Sequence, residues 1–393
     1  MSKINLVFLG SFSYPQGMAD TKRNQHAIDA LKDYEGLSIK VLILRQSSKE
    51  NQPTGIHQGI HYETVMPDLL RAGFILKYPW FQRKVKLATA KVFVPGVKNI
   101  LYVYGPPMVD NIAAVFQARK LGFKVIFDIV EDEVTSANIC PTLWHKVNNW
   151  FARILTHNIA NLADGVIVIS SHLENKFKLL LKANIPLMVR PISVDLEQFK
   201  SESKYHDSDI RLFYSGSYGI KDGVEYLIKA FNIIAARHDR VRLVLTGKGD
   251  DDRMLQINAM IDESPFNNRI DMKGYLSDYD YYAEVASCEI PCMTRTNIEY
   301  AHAGFPFKLG EFLATGKPVI ASRVSDVENF LEHCESAMLV QPNNVVEIVK
   351  AVEYLIENPE KAFAIGVCGR EKAKQLFEYR TQGKALLNFF RML

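Results

Sequence analysis

The sequence predicts an α/β protein with two doubly wound domains, and three observations support that fold class. The chain has 393 residues, whereas one hydrophobic core rarely grows beyond about 250–300 residues. Apolar runs of strand length alternate with segments of helical period, which is typical of parallel sheets covered by helices. This alternation begins near residue 4 and begins again near residue 210. Each half is therefore expected to form a doubly wound sheet of its own.

The predicted elements follow the chain in order. In the first half the strands cover residues 4–9, 39–44, 100–104, 124–129 and 165–169, and the helices cover residues 20–31 and 108–121. Gly122 directly follows the second helix, where glycine commonly ends a helix. In the second half a helix covers residues 223–237, and the strands cover residues 210–214, 242–246, 270–273, 287–293, 318–322 and 337–340.

The boundary between the halves is predicted from a change in composition. Residues 196–209 include a polar run without apolar periodicity, which is typical of a linker. We expect a Rossmann-like domain at residues 1–195 and a second Rossmann-like domain at residues 210–375. Residues 376–393 have a helical pattern rich in Leu and Phe, so we expect them to pack back onto the first domain.

Composition indicates a soluble, cytoplasmic protein. Hydrophobic residues make up 48% of the chain and charged residues 23%, and the net charge of +3 does not by itself indicate nucleic-acid binding. Five scattered cysteines predict a reducing compartment and neither a disulfide framework nor a zinc site. No stretch approaches the ~20 apolar residues that span a bilayer, and the first residues are typical of a strand, not of a signal peptide.

Residues 69–98 show the sharpest charge asymmetry in the chain. They contain no Asp or Glu, and they interleave cations with aromatic residues: Arg71, Lys77, Arg83, Lys84, Lys86, Lys91 and Lys98 with Phe74, Tyr78, Trp80 and Phe81. This pattern favours an anionic membrane surface at the inner face of the membrane, or the diphosphate of a lipid-linked acceptor. The alternative is a solvated helix face packed on the core, and nucleic acid is a weaker third choice.

Residues 303–322 contain the most informative motif, AGFPFKLGEFLATGKPVIAS. A Gly/Pro loop opens a short helix that carries Glu311. Loop amides and the positive end of a helix dipole suit phosphate oxygens, and a carboxylate one turn later suits a ribose diol. The alternative is an ordinary connection of an α/β sheet. The dinucleotide fingerprint G-x-G-x-x-G is absent after both opening strands, which argues against a dehydrogenase.

The order of motifs resembles that of the retaining GT-B glycosyltransferases of family 4, the glycosyl transferases group 1. The resemblance covers nearly the whole chain and rests on PQGMA, ADGVIVISSHL, VRPISVDLEQF, FYSGSYGIKDGVEYLIKAF, LVLTGKGDD, IDMKGYLSDYDYYAEVASCEI and the motif above. It implies a nucleotide-sugar donor held mainly by the C-terminal domain, and a glycan or lipid-linked acceptor on the N-terminal domain. It also implies a retained anomeric configuration, with no cofactor and no metal.

The resemblance assigns Glu311 the role of the second Glu of the family's Glu-x7-Glu pattern, a ribose-binding carboxylate. The first Glu is replaced by Ala303, which puts the usual contact with the donor sugar in doubt. Gly304 and Phe305 match the intervening loop, whose amides are expected to hold the diphosphate. Glu299 is a substitute for the missing carboxylate or, more simply, a solvated loop residue.

The same comparison identifies candidates for the phosphate-binding cations and for the base pocket. Ser217 follows Gly216 where the family commonly has Arg. Lys221 is therefore the expected phosphate contact, or else a solvated turn lysine, and Lys308 is the second candidate. Gly17, after the first strand, lets the backbone approach the phosphates or is simply part of a turn. Tyr275, with Gly247 nearby, is placed in the base pocket, where it either stacks on the base or packs in the core.

An acidic cluster follows the fourth predicted strand, at the place where some relatives have a His facing the acceptor. Glu131, Asp132 and Glu133 form this cluster. Glu131 is expected either to order acceptor hydroxyls or, with its neighbours, to cap the following helix.

Taken together, these observations predict a hexose-type sugar transferase of surface polysaccharide or glycoconjugate synthesis. Two other functions fit the same sequence. One is a nucleotide-sugar epimerase of the same fold, and the other is a non-catalytic scaffold, which the residues at positions 303 and 217 favour.

Overall fold

A computed structural model describes residues 3–45, 51–66, 74–132, 143–199 and 209–393. The chain divides into two compact units, one formed by Met1–Pro191 with Tyr379–Leu393 and the other by Ile192–Glu378. Arg71, Glu133, Cys140 and positions 200–208 of the expected linker lie outside the described residues, as does the side chain of Phe74. No helix in the described ranges is both long and apolar enough to cross a bilayer.

The first unit contains eight strands and six helices within its described residues. The strands are β1 Ile4–Gly10, β2 Leu37–Ile43, β3 Thr54–His57, β4 Ile60–Thr64, β5 Lys98–Tyr104, β6 Lys124–Ile129, β7 Gly165–Val168 and β8 Leu187–Val189. The first five helices are α1 Ala19–Leu31, α2 Phe74–Lys91, α3 Ile112–Lys120, α4 Leu143–His157 and α5 Ser171–Leu180. The sixth is the last helix of the chain, from the distant segment Tyr379–Leu393.

The strands of the first unit form one sheet in the order β3-β4-β2-β1-β5-β6-β7-β8. Neighbouring strands are parallel except for the antiparallel pair β3 and β4. The chain leaves β1 toward β2 in one direction and returns to β5 on the other side, so the strand order reverses between β1 and β5. Right-handed crossovers then place α1 on one face of the sheet and α2, α3, α4 and α5 on the other.

The second unit restarts the pattern with six strands. They are β9 Ile210–Gly216, β10 Val241–Gly247, β11 Ile270–Gly274, β12 Ile290–Met293, β13 Ile320–Ser322 and β14 Met338–Val340. The described helices of this unit are α6 Val224–Ala235, α7 Asp251–Asp262, α8 Asp278–Ser287, α9 Glu299–Ala303, α10 Phe307–Ala314, α11 Val327–Phe330, α12 Val345–Glu357 and α13 Pro359–Leu376. The last helix of the chain, α14 Tyr379–Met392, belongs to the first unit.

The second sheet has the strand order β11-β10-β9-β12-β13-β14, and all of its pairs are parallel. The order reverses between β9 and β12, as in a doubly wound nucleotide-binding domain. The core on one side of this sheet joins buried apolar residues of β9 and β10 to α6 and α12. On the other side, the ring of Phe213 contacts those of Tyr281 and Phe312.

The predicted fold class is confirmed, with differences in detail. The segment predicted as a strand at 287–293 begins only at Ile290, because Ser287 ends α8 and the following residues form a connection. The helix expected at 376–393 is α14, which begins only at Tyr379 because Phe377 and Glu378 separate it from α13. The predicted helix at 108–121 begins at Ile112, because the Asn111 side chain accepts a hydrogen bond from the Met108 amide at 2.9 Å and holds a turn there.

Candidate functional site

The carboxyl edge of the second sheet is the place to expect a ligand. In doubly wound sheets ligands bind beyond the carboxyl ends of the strands where the strand order reverses. Here that point lies between Gly216, the last residue of β9, and Met293, the last residue of β12. The two loops that follow these strands therefore form the candidate site.

Two glycines at this edge expose backbone that no side chain of their own covers. Gly247, at the end of β10, has φ 128, and a Cβ on it would overlap the carbonyl oxygen of Gly216. A Cβ on Gly216 would in turn overlap the hydroxyl of Tyr214. Both predicted glycines are thus required by close approach of the chain to itself, and they leave no side chain between a ligand and the strand ends.

The loops after β9 and β12 are hydrogen-bonded to each other. The Thr296 amide donates to the carbonyl of Lys221 at 3.0 Å, and the Thr296 hydroxyl donates to that of Ile220 at 3.0 Å. The Thr294 hydroxyl donates to the carbonyl of Gly223 at 3.2 Å. Gly223 has φ 63 and begins α6, and a Cβ there would overlap the Thr294 carbonyl. The amino end of α6 is therefore fixed against β12.

Lys221 lies in this pair of loops. Its Nζ is 4.4 Å from the centroid of the Tyr300 ring and 3.4 Å from the Tyr300 hydroxyl. In the same loop the Asp222 carboxylate accepts hydrogen bonds from the Ser217 hydroxyl at 2.5 Å and from the Gly219 amide at 3.0 Å. Lys221 is thus a half-buried cation held over an aromatic face, which is a more ordered position than that of a freely solvated turn lysine.

Glu311 lies in the second turn of α10 and is only 3% exposed. Its Oε2 accepts a hydrogen bond from the Tyr281 hydroxyl at 2.6 Å and another from Lys308 Nζ at 2.8 Å. Lys308 Nζ also lies 3.8 Å from the centroid of the Tyr281 ring. Burial and the neighbouring Glu311 raise the pKa of the Tyr281 hydroxyl well above its usual range, so Tyr281 stays a neutral donor.

The structure thus brings Lys308 and Glu311 into one cluster, in which their charges balance. Gly304 and Phe305 precede α10, as predicted, and the Phe305 ring is anchored against those of Phe330 and Phe377 at 5.5 and 5.8 Å. Ala303 is completely buried. These placements fit the predicted roles, which no ligand contact tests.

Tyr275 follows Gly274 at the end of β11 and is 62% exposed. The alternative that this residue packs in the core is therefore wrong. β11 is two strands away from β9, a separation of about 10 Å. Glu299, the proposed substitute carboxylate, is an exposed residue at the start of α9.

The predicted residues of the first unit lie at the carboxyl edge of its own sheet. Glu131 is exposed after β6, and the capping role is not testable because the residues that follow Asp132 lie outside the described ranges. Asp132 is buried and pairs with Lys176 at 3.0 Å. Gly17 lies in the loop after β1, where a Cβ would overlap the Thr21 side chain. Packing inside this loop therefore already accounts for the glycine.

Three features of the second unit were not predicted from the sequence. Tyr281 is the partner of Glu311 although the two residues are 30 positions apart. Thr294 and Thr296 join the two loops, and Arg295 lies between them directly after β12. The only signal in the sequence is that polar residues follow an apolar strand, and a loop has the same composition.

Comparisons with known proteins agree with this geometry. Residues 195–372 match the sequence model of the family described as glycosyl transferases group 1. A GDP-mannose-dependent alpha-(1-6)-phosphatidylinositol monomannoside mannosyltransferase of Mycolicibacterium smegmatis is 25% identical over 252 residues, which cover 60% of this chain and 64% of the relative. The matched segments span between 37% and 65% of the lengths of the curated relatives.

Solved structures share the fold over the whole chain. Sucrose-phosphate synthase from Thermosynechococcus elongatus superposes with a TM-score of 0.77 at 16% identity, covering 99% of this chain and 98% of that one. Anabaena HepE in complex with UDP and glucose superposes with a TM-score of 0.75 at 17% identity, covering 100% of both chains. The fold is therefore the GT-B type of glycosyltransferases.

Proposed function

We propose that the chain is a glycosyltransferase, starting from the premise that residues 195–372 form a glycosyl transferases group 1 domain. It transfers a hexose-type sugar from a nucleoside-diphosphate sugar to a hydroxyl of a glycan or a lipid-linked acceptor. The reaction retains the anomeric configuration, as in family 4, and uses neither a cofactor nor a metal. Its product belongs to surface polysaccharide or glycoconjugate synthesis.

The observation that carries the proposal is the edge between β9 and β12. Bare glycine backbone, the fixed amino end of α6 and the cation Lys221 meet at the point where the strand order reverses. Amides and a helix dipole suit phosphate oxygens. The buried Glu311 suits the two hydroxyls of a ribose, and the exposed Tyr275 suits the face of a base.

The transfer reaction needs positive charge at the edge between β9 and β12, where the leaving diphosphate gains negative charge. The bond between the sugar C1 and the oxygen of the β-phosphate breaks, and its electron pair stays on the phosphate. The acceptor oxygen forms the new bond to C1 and gives its proton to the departing phosphate oxygen. A fixed cation such as Lys221 stabilises the charge that develops on the leaving diphosphate, and Lys308 is the second candidate for this contact. Glu131 orders acceptor hydroxyls, and Gly17 admits close approach of the backbone to phosphate oxygens.

An anionic membrane surface is part of the proposal. One face of α2 packs in the core through Phe81 and Val85, whereas Trp80 and Leu87 are 50% and 63% exposed. Lys84 Nζ lies 3.9 Å from the centroid of the Trp80 ring. The helices α2, α3 and α4 contain five, two and two Lys and Arg residues and no Asp or Glu. This composition suits the inner face of an anionic membrane or a lipid-linked diphosphate.

Glu311 provides the test of the donor site. We expect Glu311→Gln to weaken the binding of a nucleoside diphosphate by roughly tenfold, because a carboxylate that accepts two ribose hydroxyls makes charge-assisted hydrogen bonds. Isothermal titration calorimetry with UDP, GDP, ADP and dTDP measures this. Tyr281→Phe is the matched control, because it removes a partner of Glu311 and keeps the carboxylate.

Unchanged affinity in Glu311→Gln would contradict the assignment of this residue, and an equal loss in Tyr281→Phe would assign the effect to packing.

The reaction itself is tested by incubating a panel of nucleotide sugars with and without acceptors. Transfer requires an acceptor, whereas an epimerase isomerises its nucleotide sugar alone. A scaffold, which the buried Ala303 favours, gives neither product.

A further inference from the structure

Arg295 is the second residue after β12 and lies beside the loop that follows β9. Its two neighbours fix its backbone, because Thr294 donates to the Gly223 carbonyl and Thr296 donates to the carbonyls of Ile220 and Lys221. The side chain of Arg295 is half-buried. A guanidinium is thus held at the reversal of strand order by the same hydrogen bonds that fix the amino end of α6.

The guanidinium of Arg295 has no ion-pair partner in the described part of the chain. Among the described residues, no hydrogen bond or ion pair joins Arg295 to another side chain or carbonyl. Two other cations of the second unit are engaged by protein groups. Arg253 donates to the Tyr218 carbonyl at 2.9 Å and pairs with Glu225 at 3.2 Å, and Lys308 pairs with Glu311.

In the described part of the chain, no ion pair joins Arg295 to Asp222, the carboxylate of the loop after β9. Asp222 accepts its hydrogen bonds from Ser217 and Gly219 within its own loop. The positive charge of Arg295 acts on Tyr214, whose side chain lies against Gly216 at the end of β9. Burial raises the pKa of the Tyr214 hydroxyl well above its usual range, and the charge of Arg295 opposes that shift. Tyr214 lies directly under Gly216.

We propose that Arg295 binds the diphosphate of the donor and, with Lys221, holds the leaving group. This assignment rests on the proposed function and adds a residue to it. A nucleoside diphosphate brings more negative charge than Lys221 can balance beside Asp222. A guanidinium offers a planar fork of donors that matches two phosphate oxygens at once. The cation that position 217 lacks is thus supplied from the neighbouring strand, β12.

The test compares Arg295→Gln with the wild-type protein, using whichever of UDP, GDP, ADP and dTDP binds most tightly. We expect a loss of roughly 10- to 100-fold for the diphosphate, because two charge-assisted hydrogen bonds are removed. The matching nucleoside, followed by ligand-observed NMR, should bind unchanged. Arg295→Lys should lose less, since it keeps the charge without the fork. The salt dependence of diphosphate binding should become shallower in Arg295→Gln.

Arg237→Gln is the matched control, because Arg237 follows the carboxyl end of α6, away from the site, and is 58% exposed. It should bind the diphosphate as the wild type does. If Arg295→Gln binds within twofold of the wild type, or loses the nucleoside equally, the assignment of Arg295 is overturned while the proposed function stands. If the wild type binds none of the four diphosphates, the proposed function fails and the assignment fails with it.

Discussion

Asp128 is buried in the first unit between two guanidinium groups. It accepts hydrogen bonds from Arg23 at 2.8 Å, from Arg190 at 2.9 Å and from the Tyr102 hydroxyl at 2.5 Å. Burial alone would raise the pKa of the Asp128 carboxyl, but Arg23 and Arg190 together lower it to about 2. Arg23 also donates to the carbonyls of Arg190 and Pro191, so this cluster fixes the end of the first segment of the unit.

Because the folded pKa of Asp128 lies below its unfolded value, the cluster stabilises the fold above about pH 4. That stability is lost as the pH falls from about 4 toward 2. We expect Asp128→Asn to lower the free energy of unfolding by about 3 kcal/mol at pH 7, since two buried guanidinium groups lose their counter-ion. The pH dependence between 4 and 2 should also shrink. Urea unfolding at pH 7 and pH 3 measures both effects.

Asp29→Asn is the comparison for this prediction, because Asp29 pairs with Lys32 at the surface. It should change the free energy of unfolding by less than about 0.5 kcal/mol. Equal effects of the two substitutions would mean that the buried cluster adds nothing to stability beyond an ordinary surface pair.

Elements differ in how far the sequence specifies them. Strand β6 was predicted to the residue, whereas the bounds of the other predicted strands differ from the observed ones at one end or both. The hairpin of β3 and β4 was missed because β3 is largely exposed and carries no apolar run. Its turn, Gln58-Gly59, has positive φ at both residues, and Gln rarely adopts that conformation. A two-residue turn before the alternating β4 was the signal available.

Helices α2 and α4 present exposed aromatic and basic side chains on the first unit. In α4, Trp150, Phe151 and Ile154 are 58%, 43% and 42% exposed. Their rings and the Lys and Arg side chains around them suit the interface of an anionic bilayer. The expectation that the basic segment is a helix face packed on the core therefore holds for one side of α2 only.

Flotation with vesicles of phosphatidylcholine and 30–40% phosphatidylserine tests this surface. We expect Lys77, Arg83 and Lys86, changed together to Gln, to lower vesicle binding at low salt by at least tenfold, because each basic residue near an anionic surface contributes about 1 kcal/mol. The control replaces three cations of α13: Lys361, Lys372 and Lys374. A wild-type protein that stays with the unbound fraction at low salt would refute the membrane proposal.

At the scale of the whole molecule, the repeat of two doubly wound units was predictable, whereas the strand order was not. The motif around Glu311 indicated a candidate site because its glycine loop and its carboxylate lie close together in the sequence. Arg295 was missed because its role follows from β12 lying next to β9, although the two strands are separated by three helices and two strands along the chain. Contacts between residues that are distant in the sequence leave no local pattern in that sequence.

The first unit depends on a helix that is distant in sequence. Helix α14 packs on α1, where Gly383 lies so close to Ala30 that a Cβ would meet it at 2.5 Å. Leu386, Leu387 and Phe390 are buried, and the Phe390 ring contacts that of Tyr102. The apolar residues of α14 therefore complete the core of the unit in which the chain begins.

We expect Phe390→Ala to lower the free energy of unfolding of the first unit by about 3–5 kcal/mol, since a large buried ring is removed. Hydrogen exchange should rise in α1 and β1 and should remain unchanged in β9 and β10. Phe363→Ala is the control, because Phe363 in α13 is 46% exposed. Uniform destabilisation of both units would contradict this division of the chain.

The position of α14 also has a consequence for protein synthesis. While the ribosome makes residues 192–378, the first unit has all of its strands but still lacks the helix that covers α1. Its apolar surface stays open to chaperones throughout the translation of the second unit. The domain that begins first is therefore finished last, and an interrupted translation leaves an unfinished N-terminal domain, whichever residue of the second unit it stops at.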